Sequence, residues 1–168
     1  DEEKRKAYLD KISNIPKENL VYIDESGIEY NMFKDKGWAK KGEIIPAKKS
    51  GKYYQRTNII AGLVNNKSIS PCIYNGSCDT EFFNSWVGQF LIPELKSGQY
   101  VIMDNASFHK SQKTIELIES VIFLPPYSPD FNPIETFWAN LKAKIKNIIH
   151  NFTSIYKAIE YILSLIHI

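Results

Sequence analysis

Asp104 directly follows the apolar run Tyr100-Val101-Ile102-Met103 and is followed by Asn105-Ala106-Ser107-Phe108-His109. Asp24 closes a similar run, Leu20-Val21-Tyr22-Ile23, and Glu135 ends the stretch Pro125-Pro126-Tyr127-Ser128-Pro129-Asp130-Phe131-Asn132-Pro133-Ile134-Glu135. Short apolar runs bounded by polar residues read as buried strands. Two carboxylates therefore fall at strand ends and a third at a helix start, which is how a chain builds a metal site from separate elements. Oxygen donors with no cluster of thiolates or histidines suit Mg²⁺ or Mn²⁺ rather than zinc. Three carboxylates in one pocket repel one another unless cations neutralise them.

Each of these residues also has a plainer reading. Asp24 suits a strand end or turn, and Asp104 an Asx turn with Asn105. Asn132 is a good N-cap, Pro133 suits the first helical position and Glu135 the third, so Glu135 fits a capping box. Glu25 neighbours Asp24 but points to the opposite sheet face, outside the three. His109 reads either as a contact to nucleic acid or the site from its loop, or as a surface histidine leading a helix. Tyr127, Ser128 and Pro129 form either a nucleic-acid contact or a rigid turn.

The elements that position these groups follow from periodicity. Residues 4–13 read as a weak helix. Leu20–Asp24 reads as a strand, Ser26-Gly27 as a turn, and Ile28–Phe33 as a second strand completing a hairpin. Thr57–Val64 is a third strand ended by Asn65-Asn66. Ile69–Tyr74 extends the sheet, with Pro71 confining it to an edge or a break. Phe82, Phe83, Trp86, Val87, Phe90 and Leu91 mark a helix capped by Asp79 or Thr80 and closed by Pro93 and Gly98. Tyr100–Met103 is a fourth strand. Ser111 caps a helix to about Ser120 with Ile115 and Ile118 inward, and Val121–Leu124 is a fifth strand. After Pro133, a buried face runs through Ile134, Phe137, Trp138, Leu141, Ile145 and Ile148. The stripe Ile155, Ala158, Ile159, Ile162, Leu163 and Ile166 covers the same sheet or packs on a second subunit. This order predicts an α/β fold, a mixed five-stranded sheet flanked by helices. Residues 1–19 form a helical linker, 20–150 the main domain and 151–168 a C-terminal helix.

Composition sets the outer bounds. The chain has 168 residues, 43% hydrophobic and 24% charged, enough for one domain with a sizeable core. No apolar stretch reaches the roughly 18–20 residues of a membrane span. The start, Asp1-Glu2-Glu3-Lys4-Arg5-Lys6, lacks the apolar core of a signal peptide. It also lacks Met, as expected for part of a longer protein. Cys72 and Cys78 fit free thiols in a reducing, cytoplasmic setting. Charge is uneven. Lys34, Lys36, Lys40, Lys41, Lys48, Lys49, Lys52 and Arg56 face only Asp35 and Glu43, a local balance of +6 in a chain of net +2. Trp38, Tyr53 and Tyr54 are interleaved with them. Such a mixture suits a phosphate backbone and unstacked bases, or forms a solvated hairpin.

The segments Tyr22–Gly27, Val101–His109 and Leu124–Glu135 resemble the three catalytic blocks of DDE transposases, specifically those of the mariner-like superfamily with its bacterial insertion-sequence branch. The run Pro126-Tyr127-Ser128-Pro129-Asp130-Phe131-Asn132-Pro133-Ile134-Glu135 is the most specific of them. The resemblance spans roughly residues 20–147, including Gly37-Trp38-Ala39-Lys40-Lys41-Gly42. It implies a ribonuclease H-like fold with Asp24, Asp104 and Glu135 as the triad, holding two Mg²⁺ or Mn²⁺ ions. It further implies cleavage at transposon inverted-repeat ends, strand transfer into target DNA, a homodimer, an upstream helix-turn-helix region and a bacterial, nucleoid-associated location. Thirty residues separate Asp104 from Glu135, a few fewer than is usual in this superfamily. Two other readings remain: a ribonuclease H-like structure-specific nuclease without strand transfer, and a non-catalytic DNA-binding remnant.

Overall fold

Side chains alternate along the strands between two apolar layers, and that alternation sets the architecture. The computed structural model of the chain describes residues 1–29 and 56–166. β1 (Leu20–Ile28) sends Val21 and Ile23 to one face of the sheet and Tyr22 to the other. β2 (Thr57–Val64) and β3 (Lys67–Asn75) follow, then β4 (Tyr100–Met103) and β5 (Val121–Phe123). The sheet order is β3-β2-β1-β4-β5, with β1–β2 and β2–β3 antiparallel and β1–β4 and β4–β5 parallel. Pro71 sits in edge strand β3 as its chemistry requires. The β2–β3 ladder shifts register between Ile60 and Gly62, and Ser70 there takes φ 51°.

Helices cover both faces. α1 (Glu2–Ser13) packs through Tyr8 onto Leu20, Ile102, Ile122 and Leu124. α2 (Thr80–Trp86), capped by Asp79 accepting from the Phe82 amide at 2.8 Å, continues through a π-helical turn, Val87–Leu91, into α3 (Ile92–Glu94). With α4 (Gln112–Leu117) it covers the face of Val21, Ile23, Ile60, Val101 and Met103. α5 (Pro133–Ile148) and α6 (Ile155–Ile166) cover the other face, over Ile28, Ile59, Ala61 and Leu63. Among the described residues no helix is long and apolar enough to cross a membrane.

Three local expectations are corrected. Ser26-Gly27 is not a turn: β1 continues to Ile28, because β2 offers partners along its length from Tyr22–Leu63 to Ile28–Thr57. The Arg56 guanidinium lies over Gly27, in the space that a Cβ there would take. α4 ends at Leu117 rather than near Ser120, and Ile115 is exposed while Thr114 is buried. Thr114 satisfies its hydroxyl with Asn84 at 2.8 Å, which makes a polar residue tolerable inside. The capping box does not form, because the Asn132 amide donates to the Pro129 carbonyl at 2.9 Å. The remainder of the expected second strand, Tyr30–Phe33, the Gly37–Gly42 stretch, Trp38, Tyr53, Tyr54 and the lysines Lys34, Lys36, Lys40, Lys41, Lys48, Lys49 and Lys52 lie outside the described residues.

The stripe on α6 is core. Ala158 and Ile159 are fully buried against the same cluster as Ile145 and Ile59. Ile159→Asp should cost more than about 3 kcal/mol by burying an unpaired charge. Chemical denaturation checks this: the variant should lose its cooperative transition, and a stably folded variant would contradict the packing.

Candidate active site

The parallel pairing of β1 with β4 does most of the positioning. Its register runs Leu20–Tyr100, Val21–Val101, Tyr22–Ile102. Beyond that ladder Asp104 directly follows the end of β4, whereas Asp24, expected at a strand end, lies in the middle of β1, because β2 pairs with β1 as far as Ile28. Crevices outside such strand ends are where α/β sheets bind ligands. The third carboxylate arrives on α5, whose Ile134, Trp138 and Leu141 pack on the face to which Tyr22 points. Glu135, in the first turn, then opens onto the same edge. Asp24, Asp104, Glu135, Asn132 and Tyr127 together line one cavity of about 420 Å³.

Each aspartate has one oxygen already engaged. Asp24 Oδ1 accepts from the Glu25 amide at 2.8 Å. Asp104 Oδ1 accepts from the Ala106 amide at 2.9 Å and lies 2.6 Å from His109 Nδ1. His109 is not the surface histidine of one reading; as in the other, it meets the site from its loop, through Asp104. Its ring is fully buried, with Nε2 3.2 Å from Glu25 Oε1. Glu25 does point away from the triad, towards His109 and Cys78, so it meets the site from behind.

The charges follow the geometry. Burial pushes the Asp24 carboxyl up to about 7, with the charge of Glu25 adding most among its neighbours and Glu135 and Asp104 adding less. The His109 hydrogen bond holds Asp104 below its usual value. Burial works against a charge on His109, but the bonds to Asp104 and Glu25 outweigh it and raise the imidazole to about 9. His109 therefore stabilises the fold fully below pH 6.5, and that contribution is lost as pH rises through about 9.

The loop before α5 is clamped from α1. Arg5 forks onto Asp130 at 3.1 and 2.6 Å, reaches Ser128 Oγ at 3.0 Å, and lies 4.2 Å over the Phe131 ring. Tyr127 is wholly exposed at φ 54°, a strained backbone for a bulky residue, at the cavity rim. Arg56 stands elsewhere: its Nε donates to Asn58 Oδ1 at 3.0 Å, and it lines a separate cavity of about 560 Å³ with Glu25, Tyr74 and Cys78. Neither the Arg5 clamp nor the Glu25–His109 contact was expected from the sequence. The only signal for the latter was that His109 lies in the same block as Asp104.

Among the described residues no three His, Cys, Asp or Glu side chains stand close enough together to grip an ion. The three carboxylates ring the cavity. Their chemistry nonetheless fits a hard divalent cation: all donors are oxygens, and each aspartate keeps Oδ2 without a hydrogen bond to the described residues. Asn132 Oδ1, on the same wall, is buried without a partner among them.

Comparisons with known proteins bear on the family and the fold. A family model described as DDE superfamily endonuclease matches residues 19–156. Against curated protein sequences the chain finds no match. Among solved structures, the Mos1 transposase paired-end complex with left transposon end is similar at 14% identity and TM-score 0.69, over 98% of this chain and 53% of that one. The catalytic domain of Mos1 mariner transposase is similar at 13% identity and TM-score 0.63, over 99% and 78%. The catalytic core domain of BIV integrase is similar at 13% identity and TM-score 0.55, over 85% and 79%. The chain thus spans about half the length of the transposase in the paired-end complex. At these identities the likeness shows the fold: a mixed five-stranded sheet flanked by helices, as in ribonuclease H-like transposase and integrase cores.

Asp24 carries a stability prediction. With a folded value near 7 against 3.8 unfolded, the folded state holds the extra proton between those pH values, so stability falls as pH rises from about 4 through 7. In EDTA, Asp24→Asn should therefore stabilise the protein at pH 8 by roughly 2–4 kcal/mol and change little at pH 4. Urea unfolding at both pH values measures this; equal stability of variant and wild type at pH 8 would contradict the burial that raises Asp24.

Proposed function

The chain belongs to the DDE superfamily endonucleases, and on that premise we propose that it is the catalytic domain of a DNA transposase of the mariner-like superfamily, in the bacterial insertion-sequence branch. One observation carries the reading most directly: Asp24, Asp104 and Glu135, far apart in the chain, line one cavity. These three residues would hold two Mg²⁺ or Mn²⁺ ions. Such ions, when bound, supply Lewis acidity and charge neutralisation for in-line displacement at a phosphate diester. The chain's own residues present anchored carboxylates and exclude none of the approach, since the edge is open. No protein nucleophile is required, because positioning and charge stabilisation suffice.

The substrate of this reading is transposon inverted-repeat DNA, cut at its ends and joined to target DNA within the bacterial nucleoid. A homodimer would bring two ends together, and a helix-turn-helix region outside these residues would read their sequence. Lys40, Lys41, Lys48, Lys49, Lys52 and Arg56 would contribute contacts along the DNA backbone. Asp104→Asn should abolish Mg²⁺-dependent cleavage of end DNA while circular dichroism and melting stay close to wild type. Full activity in that variant would overturn the assignment. Supplying a pre-cut 3′ end separates the two chemistries: joined products support a transposase, whereas hydrolysis alone identifies a nuclease.

Tyr127 offers a flat, exposed ring on a clamped loop at the cavity rim, suited to stacking on an unpaired base. Tyr127→Ala should weaken binding of a single-stranded end by about 1–3 kcal/mol, with Tyr127→Phe close to wild type. Fluorescence anisotropy measures it, and equal affinities for all three proteins would remove the stacking role.

A further inference from the structure

The parallel ladder between β1 and β4 stops at Tyr22–Ile102, two residues short of the aspartates. Beyond it the two strands are tied by side chains alone. Glu25, next to Asp24 on β1, reaches His109 Nε2 at 3.2 Å, and His109 Nδ1 lies 2.6 Å from Asp104 Oδ1. The ring cannot turn freely. It is fully buried, with Phe83 and Phe108 at centroid distances of 4.5 and 4.4 Å. It also sits in the helical turn Ser107–Lys110 that starts immediately after Ala106.

We propose that His109 is a positioning residue for Asp104, fixing the carboxylate plane so that Oδ2 faces the shared cavity, with Glu25 holding the imidazole from behind. The inference rests on the reading of Asp104 as an ion-holding residue. Two donors converge on one oxygen, the Ala106 amide at 2.9 Å and His109 Nδ1 at 2.6 Å. A carboxylate with one such bond can still swing about it, whereas two bonds from different directions set its plane. This matters because the Asp104 side chain is 53% exposed, so packing alone does not restrain it. His109 has an acceptor at each ring nitrogen, one from the middle of β1 and one just past the end of β4. Groups that orient an ion-holding carboxylate are worth about 10–100-fold in affinity.

Two substitutions separate this role from packing. His109→Asn keeps a donor where Nδ1 stands and loses the contact to Glu25. His109→Gln keeps one where Nε2 stands and loses the contact to Asp104. Melting curves first establish that each variant folds. Mn²⁺ titration by calorimetry should then give His109→Asn within about threefold of wild type and His109→Gln weaker by about 10-fold or more. Equal losses in both variants, or none in either, would overturn the proposal. A second readout needs neither metal nor a folded variant at position 109. Proton NMR of the wild type in EDTA should show a His109 Nδ1 proton protected from exchange, which shifts or disappears in Asp104→Ala. Absence of that protected proton would also overturn the proposal. Failure of the functional reading looks different: the wild type takes up no Mn²⁺ while the protected Nδ1 proton remains, which supports the bridge and removes the ion.

Discussion

Burial of the Asp24 carboxyl beside Glu25, in a cavity that Asp104 and Glu135 also line, is the constraint that the surrounding structure has to manage. Burial disfavours the charged form of Asp24 most, and the charge of Glu25 adds more to that than those of Glu135 and Asp104. The chain answers with hydrogen bonds rather than distance. Asp24 Oδ1 takes the Glu25 amide, and Asp104 Oδ1 takes the Ala106 amide and the His109 ring. The imidazole adds a local positive charge between Asp104 and Glu25. Asp24 receives no such partner, and its carboxyl rises accordingly.

The scaffold around this site is stiff where the carboxylates sit. β1 is the middle strand, buttressed by β2 on one side and β4 on the other, so Asp24 rides on the least mobile part of the sheet. α5 is fixed by Ile134 and Trp138 against the same layer that α6 closes. Its entry loop is held from a distant part of the chain by Arg5, whose fork on Asp130 also brings Tyr8 to stack on Phe131 at 5.4 Å. The exposed Tyr127 therefore projects from a braced turn, and its positive φ persists because both ends of the loop are tied.

Much of this was legible in the residues. The four-residue run before Asp104 and the run before Asp24 became strands where periodicity put them, and Asn132-Pro133 marked the start of α5. Pro71 correctly announced an edge strand. The misreadings share one cause, which is that a local signal lost to a tertiary partner. Ser26-Gly27 carries turn chemistry, yet β2 supplies ladder partners across it and Arg56 occupies the space that glycine leaves. Asn132 and Glu135 carry capping chemistry, yet the Pro129 carbonyl takes the Asn132 amide first. Ile115 has the apolar character of a core residue, but α4 is too short to turn it inward and Thr114 is buried instead. His109 was the hardest to read. Its importance depends on Glu25 meeting it from another strand, and no spacing in the sequence encodes a contact across 84 positions.

The central claim is that Asp24, Asp104 and Glu135 form one ion-holding site. A crystal of the protein soaked in Mn²⁺, with anomalous scattering recorded at the manganese edge, tests it most directly. The account predicts anomalous peaks inside the cavity, within coordination distance of Oδ2 of both aspartates and of the Glu135 carboxylate. Peaks elsewhere on the surface, with Glu135 turned away from both aspartates, would contradict it.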